Sequence, residues 1–156
     1  MFTNKNYSQA IVAFKLAGRT QEVAICHAFL LRENARGVPD NCARERADTF
    51  TKAGEAFSAC AKESQPHQKR ERLAYYANAA ECFVQGHKFK EAGSYFVHAE
   101  QYSRAASTYQ EGSYFGEMVG VLEEYEDQIE ADLHAQLTKV AQMNCSKVGK
   151  LSIIGD

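Results

Sequence analysis

Cysteine, histidine and carboxylate side chains hold whatever catalytic or metal-binding potential this sequence has, and their spacing decides whether they converge. Five cysteines, Cys26, Cys42, Cys60, Cys82 and Cys145, stand without a Cys-x-x-Cys pair. An odd, dispersed set does not make a disulfide framework and fits a reducing compartment, so an intracellular location, cytoplasmic or nuclear, is expected. Cys26, Cys60 and Cys82 fall where a helical pattern takes a small apolar residue, and they read as packing thiols. His27 adjoins Cys26 and His98 follows Cys82 by one helix, yet no two Cys/His pairs share a ligand spacing. Zinc needs four convergent ligands, so no metal is expected. His27 and His98 read as boundary or surface residues, and His67, His87 and His134 as exposed.

The carboxylates Glu123, Glu124, Glu126, Asp127, Glu130 and Asp132 are dense enough to suggest metal or acid–base work. Successive acids on a helix point in different directions, however, and a solvated face is the simpler reading. No Gly-x-Ser-x-Gly elbow occurs, and no serine, histidine and acid are spaced as a triad. Neither a catalytic residue nor a cofactor is expected. Lys62, Lys69, Arg70 and Arg72, with Arg44 and Arg46 upstream, form the best electrostatic contact, suited to phosphate, RNA or an acidic protein tail. Glu63 and Glu71 dilute it, and an ordinary solvated turn is the competing reading. Most of the 17 tyrosines and phenylalanines sit at core spacing. Tyr75, Tyr95 and Tyr114 lie off those stripes and join the candidate binding surface.

The elements that must position these residues follow one pattern: aromatic-x-x-Ala-x-x-x-aromatic-x-x-small. It occurs as Tyr7, Ala10, Phe14, Ala17; as Phe89, Ala92, Phe96, Ala99; and as Tyr102, Ala105, Tyr109, Gly112. A copy with larger side chains is Phe115, Met118, Leu122, Tyr125. Offsets of 3, 4 and 3 put each set on one stripe of an α-helix. Copies beginning at 89, 102 and 115 leave about three helical turns and a tight connection each. Such short helices are marginal alone and must stack. Phe50, Ala53, Gly54, Phe57 and Cys60 line a further helix. So do Val23, Cys26, His27 and Leu30, with Thr20 as cap; Leu73, Tyr76, Ala77, Ala80 and Phe83; and Ile129, Leu133, Gln136, Leu137 and Val140. Gly18, Gly37 with Pro39, Pro66, Gly86 and Gly112 mark the breaks. The spacing predicts eight helices near 4–17, 20–36, 42–63, 68–85, 88–99, 102–111, 115–125 and 127–143. It makes one helical domain over 1–145, followed by a tail over 146–156. Phe14, Phe57, Phe83, Phe96 and Tyr109 are the expected core, with Ala10, Ala53, Ala92 and Ala105 at close helix contacts.

Gly86, Phe89, Ala92, Phe96 and Ala99, preceded by Ala79 and Phe83, resemble a tetratricopeptide repeat, with one extra residue between Gly86 and Phe89. More finely, the chain resembles the helical repeat region of fungal superfamily-1 helicase-like proteins, the tetratricopeptide and ankyrin repeat-containing proteins. That likeness is carried by Tyr7-Ser8-Gln9-Ala10, Phe14, Ala17-Gly18-Arg19, Glu22-Val23-Ala24 and Ala28 to Glu33. It continues through Ala53 to Ala61, Ala79 to Phe83 and Ala92 to Tyr109, covering about residues 5–125. It implies a tetratricopeptide-like α-solenoid of antiparallel helices, of fungal type, serving as an accessory, non-motor segment. Nothing reads G-x-x-x-x-G-K-[ST], since Gly149-Lys150 is followed by Leu151, so helicase activity does not carry over.

These readings imply a non-catalytic scaffold that binds a protein or peptide segment, with nucleic-acid binding through residues 62–72 as the alternative. No apolar run approaches the roughly 20 residues needed to cross a bilayer, so no membrane partner is expected. Charge is uneven: residues 1–78 hold 12 Lys/Arg against 8 Asp/Glu, and residues 79–156 hold 6 against 12. That polarity suits charged partners or end-to-end association. The Tyr7–Ala17 helix, resembling the second half of a repeat, is the expected site of self-association or docking.

Overall fold

The computed structural model describes residues 4–144, and its regular elements are all helical. They are α1 (Asn4–Leu16), α2 (Thr20–Arg36), α3 (Ala43–Lys62), α4 (Lys69–Gln85), α5 (Phe89–His98), α6 (Tyr102–Glu111), α7 (Phe115–Glu124) and α8 (Ala131–Met143), with a 3-10 turn at Glu126–Gln128. No strand occurs among the described residues. The span read as one helical domain contains two compact units, which meet in sequence at Lys88 and Phe89. The tail over 146–156, and Cys145 with it, lies outside the described residues.

Four helices end in the same way. Gly18, His87, Glu100 and Ser113 take the left-handed conformation, with φ of +71°, +60°, +60° and +63°. The next amide then donates back to the carbonyl five residues earlier: Arg19 to Phe14 at 2.9 Å, Lys88 to Phe83 at 2.8 Å, Gln101 to Phe96 at 2.9 Å and Tyr114 to Tyr109 at 2.8 Å. The left-handed residue itself donates to the carbonyl three before it. This pair of bonds satisfies helix-end carbonyls that otherwise have no partner. Each acceptor is the second aromatic of a helix stripe, so at Phe83, Phe96 and Tyr109 the residue that fills the core also anchors the turn.

In the first unit α1 packs chiefly on α2, α2 on α3 and α3 on α4. Phe50, Phe57, Ala53 and Cys60 of α3, Ala79, Ala80, Cys82 and Phe83 of α4, and Ala28 of α2 are buried in its core. Gly54 lets the Phe83 ring approach: a Cβ there would lie 3.1 Å from it. Edge-on packing of Phe29 against Phe57, at 5.0 Å between centroids, carries this core toward α1, where Tyr7 stacks on Phe29. In the second unit Phe96 and Ala92 of α5, Ala105 and Tyr109 of α6, Met118 and Leu122 of α7, and Leu137 and Ala141 of α8 are buried. Gly93 is obligatory there, because a Cβ would sit 2.5 Å from the Tyr109 ring.

Four expectations change. Phe14 and Ala10 are half-buried, because α1 has its main neighbour on one side only. The expected helix over 127–143 breaks. Ile129 is extended (φ −112°, ψ 136°), which sends its side chain into the core and leaves Glu126–Gln128 as a separate exposed turn. Gln136, expected on the inner stripe, is exposed on α8. Thr20 does not cap α2, which begins at that residue with Arg19 in the cap position and no side-chain cap bond.

Phe96 is almost fully buried, so Phe96→Ala should cost about 3–5 kcal/mol in a denaturant titration. A change too small to measure would show that the stripe does not support the core. Ser113→Gly should work the other way. Relieving an L-residue at φ +63° gains about 1 kcal/mol, raising Tm by about 2–4 °C. A lowered Tm would mean that the serine stabilises the turn by other means.

Candidate binding surfaces

Five of the seven residues picked out from sequence meet at the connection between α3 and α4. Lys62 closes α3, Lys69 and Arg70 open α4, and Arg72 and Tyr75 follow within two turns. The connection is tied down locally. The Gln65 amide donates to the Gln68 side chain at 2.9 Å, Gln21 of α2 donates to the same oxygen at 3.1 Å, and the Ser64 hydroxyl donates to the Ala61 carbonyl at 2.6 Å. Lys62, Lys69 and Arg70 are exposed, whereas Arg72 is half-buried with its guanidinium on the Gln65 carbonyl at 3.2 Å. Glu63 and Glu71 stand exposed among them. Tyr75 is half-buried, and its phenol pKa is raised by burial first, then by Cys60, Glu71 and Glu22.

Tyr95 and Tyr114 belong to the second unit. Tyr95 is half-buried on α5 with its ring 5.9 Å from that of His98, and Tyr114 is exposed at the start of α7, its ring lying over Gly112. Arg46, grouped with the basic patch from sequence, has a structural role instead. It donates to the carbonyls of Ala35, Arg36 and Val38 at 3.4, 3.3 and 3.0 Å, closing the end of α2, and lies 5.0 Å over the Phe50 ring.

A second group escaped the sequence reading. Arg32 of α2 lies over the rings of Phe29 and Phe57, at 4.9 and 5.4 Å, and donates through Nη1 to the Asn78 side-chain oxygen of α4 at 3.1 Å. Its Nε is buried without a hydrogen-bond partner. An unspent donor held against two aromatic faces suits a carbonyl or carboxylate acceptor. The spacing Phe29-x-x-Arg32 puts ring and cation on one helix face and was the available signal. Asn78, 46 residues further on, had none.

In the second unit a cavity of about 220 Å³ is lined by Val119, Leu122, Glu123, Glu126, His134, Thr138 and Ala141. His134, expected to be exposed, is half-buried here. Its Nε2 lies 3.1 Å from the Leu122 carbonyl, to which it donates, and its Nδ1 lies 3.3 Å from the Thr138 hydroxyl. Glu123 and Glu126 are exposed at the border of this cavity, whereas Glu124, Asp127, Glu130 and Asp132 face solvent. No three His, Cys, Asp or Glu side chains are grouped to hold a metal ion among the described residues. Nor is any described helix long and apolar enough to cross a membrane.

The buried thiols are held in the neutral form. Burial pushes Cys82 up to about 12 and Cys60 to about 11 from an ordinary 9.0, with Glu63 adding to the second. Cys26 is only half-buried, and its pKa is also raised by burial. Because the folded values are raised, the fold favours the thiol form. That contribution is complete below pH 9 and disappears as pH rises through 11–12. Stability is therefore expected to fall on the alkaline side of pH 9, and Cys60 and Cys82 to react with a thiol reagent only on unfolding. Rapid labelling of Cys82 in the folded chain would contradict this.

No protein-family model, curated protein or solved structure matches the chain, so the functional reading rests on its own geometry.

Proposed function

We propose that the chain is a non-catalytic binding scaffold, a tetratricopeptide-like stack of antiparallel helices that captures a peptide segment as an accessory part of a helicase-like protein. The order of contacts supports the stacking. Gly54 faces Phe83 while Gly86 faces Thr51, and Gly93 faces Tyr109 while Gly112 faces Phe89. Contacts that run in opposite order along two helices are those of antiparallel neighbours. Gln21 with Gln68 and Arg32 with Asn78 keep the same order, as every second helix of a stack does.

The observation that carries the binding reading is the face shared by α2 and α4. Polar side chains there are fixed by one another, and the Arg32 Nε donor has no partner within the protein. A buried donor left unpaired costs about 1–3 kcal/mol. A bound peptide carbonyl or carboxylate would recover that cost once a turn of the half-buried Arg32 side chain brings its Nε to the surface beside the half-buried Phe29 ring. Nucleic-acid binding is the second reading, favoured by the convergence of Lys62, Lys69 and Arg70 on one turn. The interleaved Glu63 and Glu71, and the engagement of Arg72 and Arg46 with carbonyls, weigh against it.

Peptide selection against the purified chain, followed by titration, separates the two. A selected peptide should bind with little dependence on salt, and Arg32→Lys, which removes the Nε donor but keeps the charge, should weaken it about tenfold. Binding unchanged in Arg32→Lys and Asn78→Ala would remove the α2–α4 face from consideration. For single-stranded RNA, three phosphate contacts predict a slope near −2 of log affinity against log salt, abolished by Lys69→Glu with Arg70→Glu. Magnesium-dependent ATP turnover by the chain, lost on a point substitution within it, would overturn the scaffold reading altogether.

A further inference from the structure

Helix α1 presents an apolar stripe on the side away from its neighbour. Val12 is 58% and Leu16 86% exposed, and Ala13 and Ala17 are exposed beside them. No acidic residue occurs in Asn4–Leu16, while Lys15 and Arg19 flank Leu16. A second α1 is a poor partner for this stripe, because α1 itself carries no carboxylate to meet the Lys15 of another copy, Arg19 already being paired with Glu22 at 3.0 Å.

The cavity of the second unit has the opposite character. Val119, Leu122 and Ala141 give it an apolar lining, and Glu123 and Glu126 border it. At about 220 Å³ it is smaller than the roughly 300–1,000 Å³ usual for small-molecule pockets. An apolar cavity of roughly 150 Å³ takes up one benzene, so the space matches a single aliphatic side chain. We infer that two copies of this chain associate head to tail, with Leu16 of one entering the cavity between α7 and α8 of the next. Lys15 of the first copy then meets Glu123 and Glu126 of the second, with Arg19 beside it held on Glu22 of its own copy. The contact joins two different surfaces, so each copy keeps one of each kind available, and growth does not stop at a dimer. This inference rests on the scaffold reading but can fail without it, since peptide capture on α2 and α4 does not need self-association.

The test is mass in solution against concentration, by light scattering or sedimentation, on the full chain. The unmodified protein should grow beyond a dimer as concentration rises and dissociate as salt rises. Leu16→Glu should weaken association about tenfold or more, and Glu123→Lys with Glu126→Lys should do the same. All three positions are exposed, and an unchanged circular dichroism spectrum confirms that each variant is folded. Mixing the two variants is decisive. Each supplies the surface the other lacks, so the mixture should form a one-to-one dimer and grow no further. If Leu16→Glu abolishes association while the double charge reversal has no effect, α1 pairs with α1 and the inference is wrong. A monomer at every concentration also overturns it. A mass that rises only after removal of residues 145–156 overturns it too, assigning the cavity to the chain's own C-terminal segment.

Discussion

A ten-residue helix in water does not hold its shape, since nucleation fixes several dihedrals before the first hydrogen bonds form. Helices α5, α6 and α7 are each of that length. What sustains α5 and α6 is a double use of one residue. Phe96 and Tyr109 fill the core with their rings and accept, through their carbonyls, the amide that closes the following turn. Moving such a residue out of the core therefore loosens the turn, and losing the turn releases the ring. Phe83 does the same at the end of α4, so this coupling recurs at 13-residue intervals from Phe83 to Tyr109. It also accounts for the bare N-termini. The turn delivers the chain straight into the next helix, and the cap positions Gln101 and Tyr114 make no side-chain cap bond.

This coupling explains why helix positions were legible in the sequence and where legibility ended. An aromatic followed three residues later by a small residue marks both a core position and a helix end, so one pattern gives two facts. Ile129 broke the pattern because the acidic run around it reads as a helix start, while the demand to bury an isoleucine is a tertiary one. Phe14 fits the stripe as well as Phe96 does, yet the stripe says nothing of how many neighbours a helix will have. The candidate surfaces were legible in the same partial way. Lys62, Lys69, Arg70, Arg72 and Tyr75 lie close in sequence, so their convergence needed only a turn. Arg32 and Asn78 are 46 residues apart, and their pairing is set by how α2 and α4 are packed.

Arginine count is a poor guide to nucleic-acid binding in this chain because the guanidinium groups have other uses. Arg19 lies over Phe14, Arg32 over Phe29, Arg46 over Phe50 and Arg104 over Phe96, with guanidinium carbons 4.4–5.4 Å from the ring centres. Such contacts contribute about 0.5–1 kcal/mol where exposed and more where water is excluded. They shield the edges of a core built from phenylalanine and tyrosine without tryptophan. Arg46 and Arg72 in addition close backbone carbonyls. Part of the positive balance of residues 1–78 is thus consumed in holding helices together, and the exposed remainder is interleaved with glutamate.

The same accounting applies to the groups that would carry chemistry. Cys60 and Cys82 are kept as thiols by burial, far from the thiolate a nucleophile requires. A proton relay through His134 would have to break its bond to the Leu122 carbonyl, and that bond joins α8 to the end of α7. Activating any of these three would cost packing on which a helix depends. The Arg32 edge and the α1 stripe differ in this respect. Each has an unmet demand, a donor without an acceptor in one case and apolar surface in water in the other; the α1 stripe can be covered as it stands, whereas the buried Arg32 Nε must first be uncovered. Among the described residues, then, the thiols and the imidazole are committed to packing, whereas the apolar stripe of α1 is not.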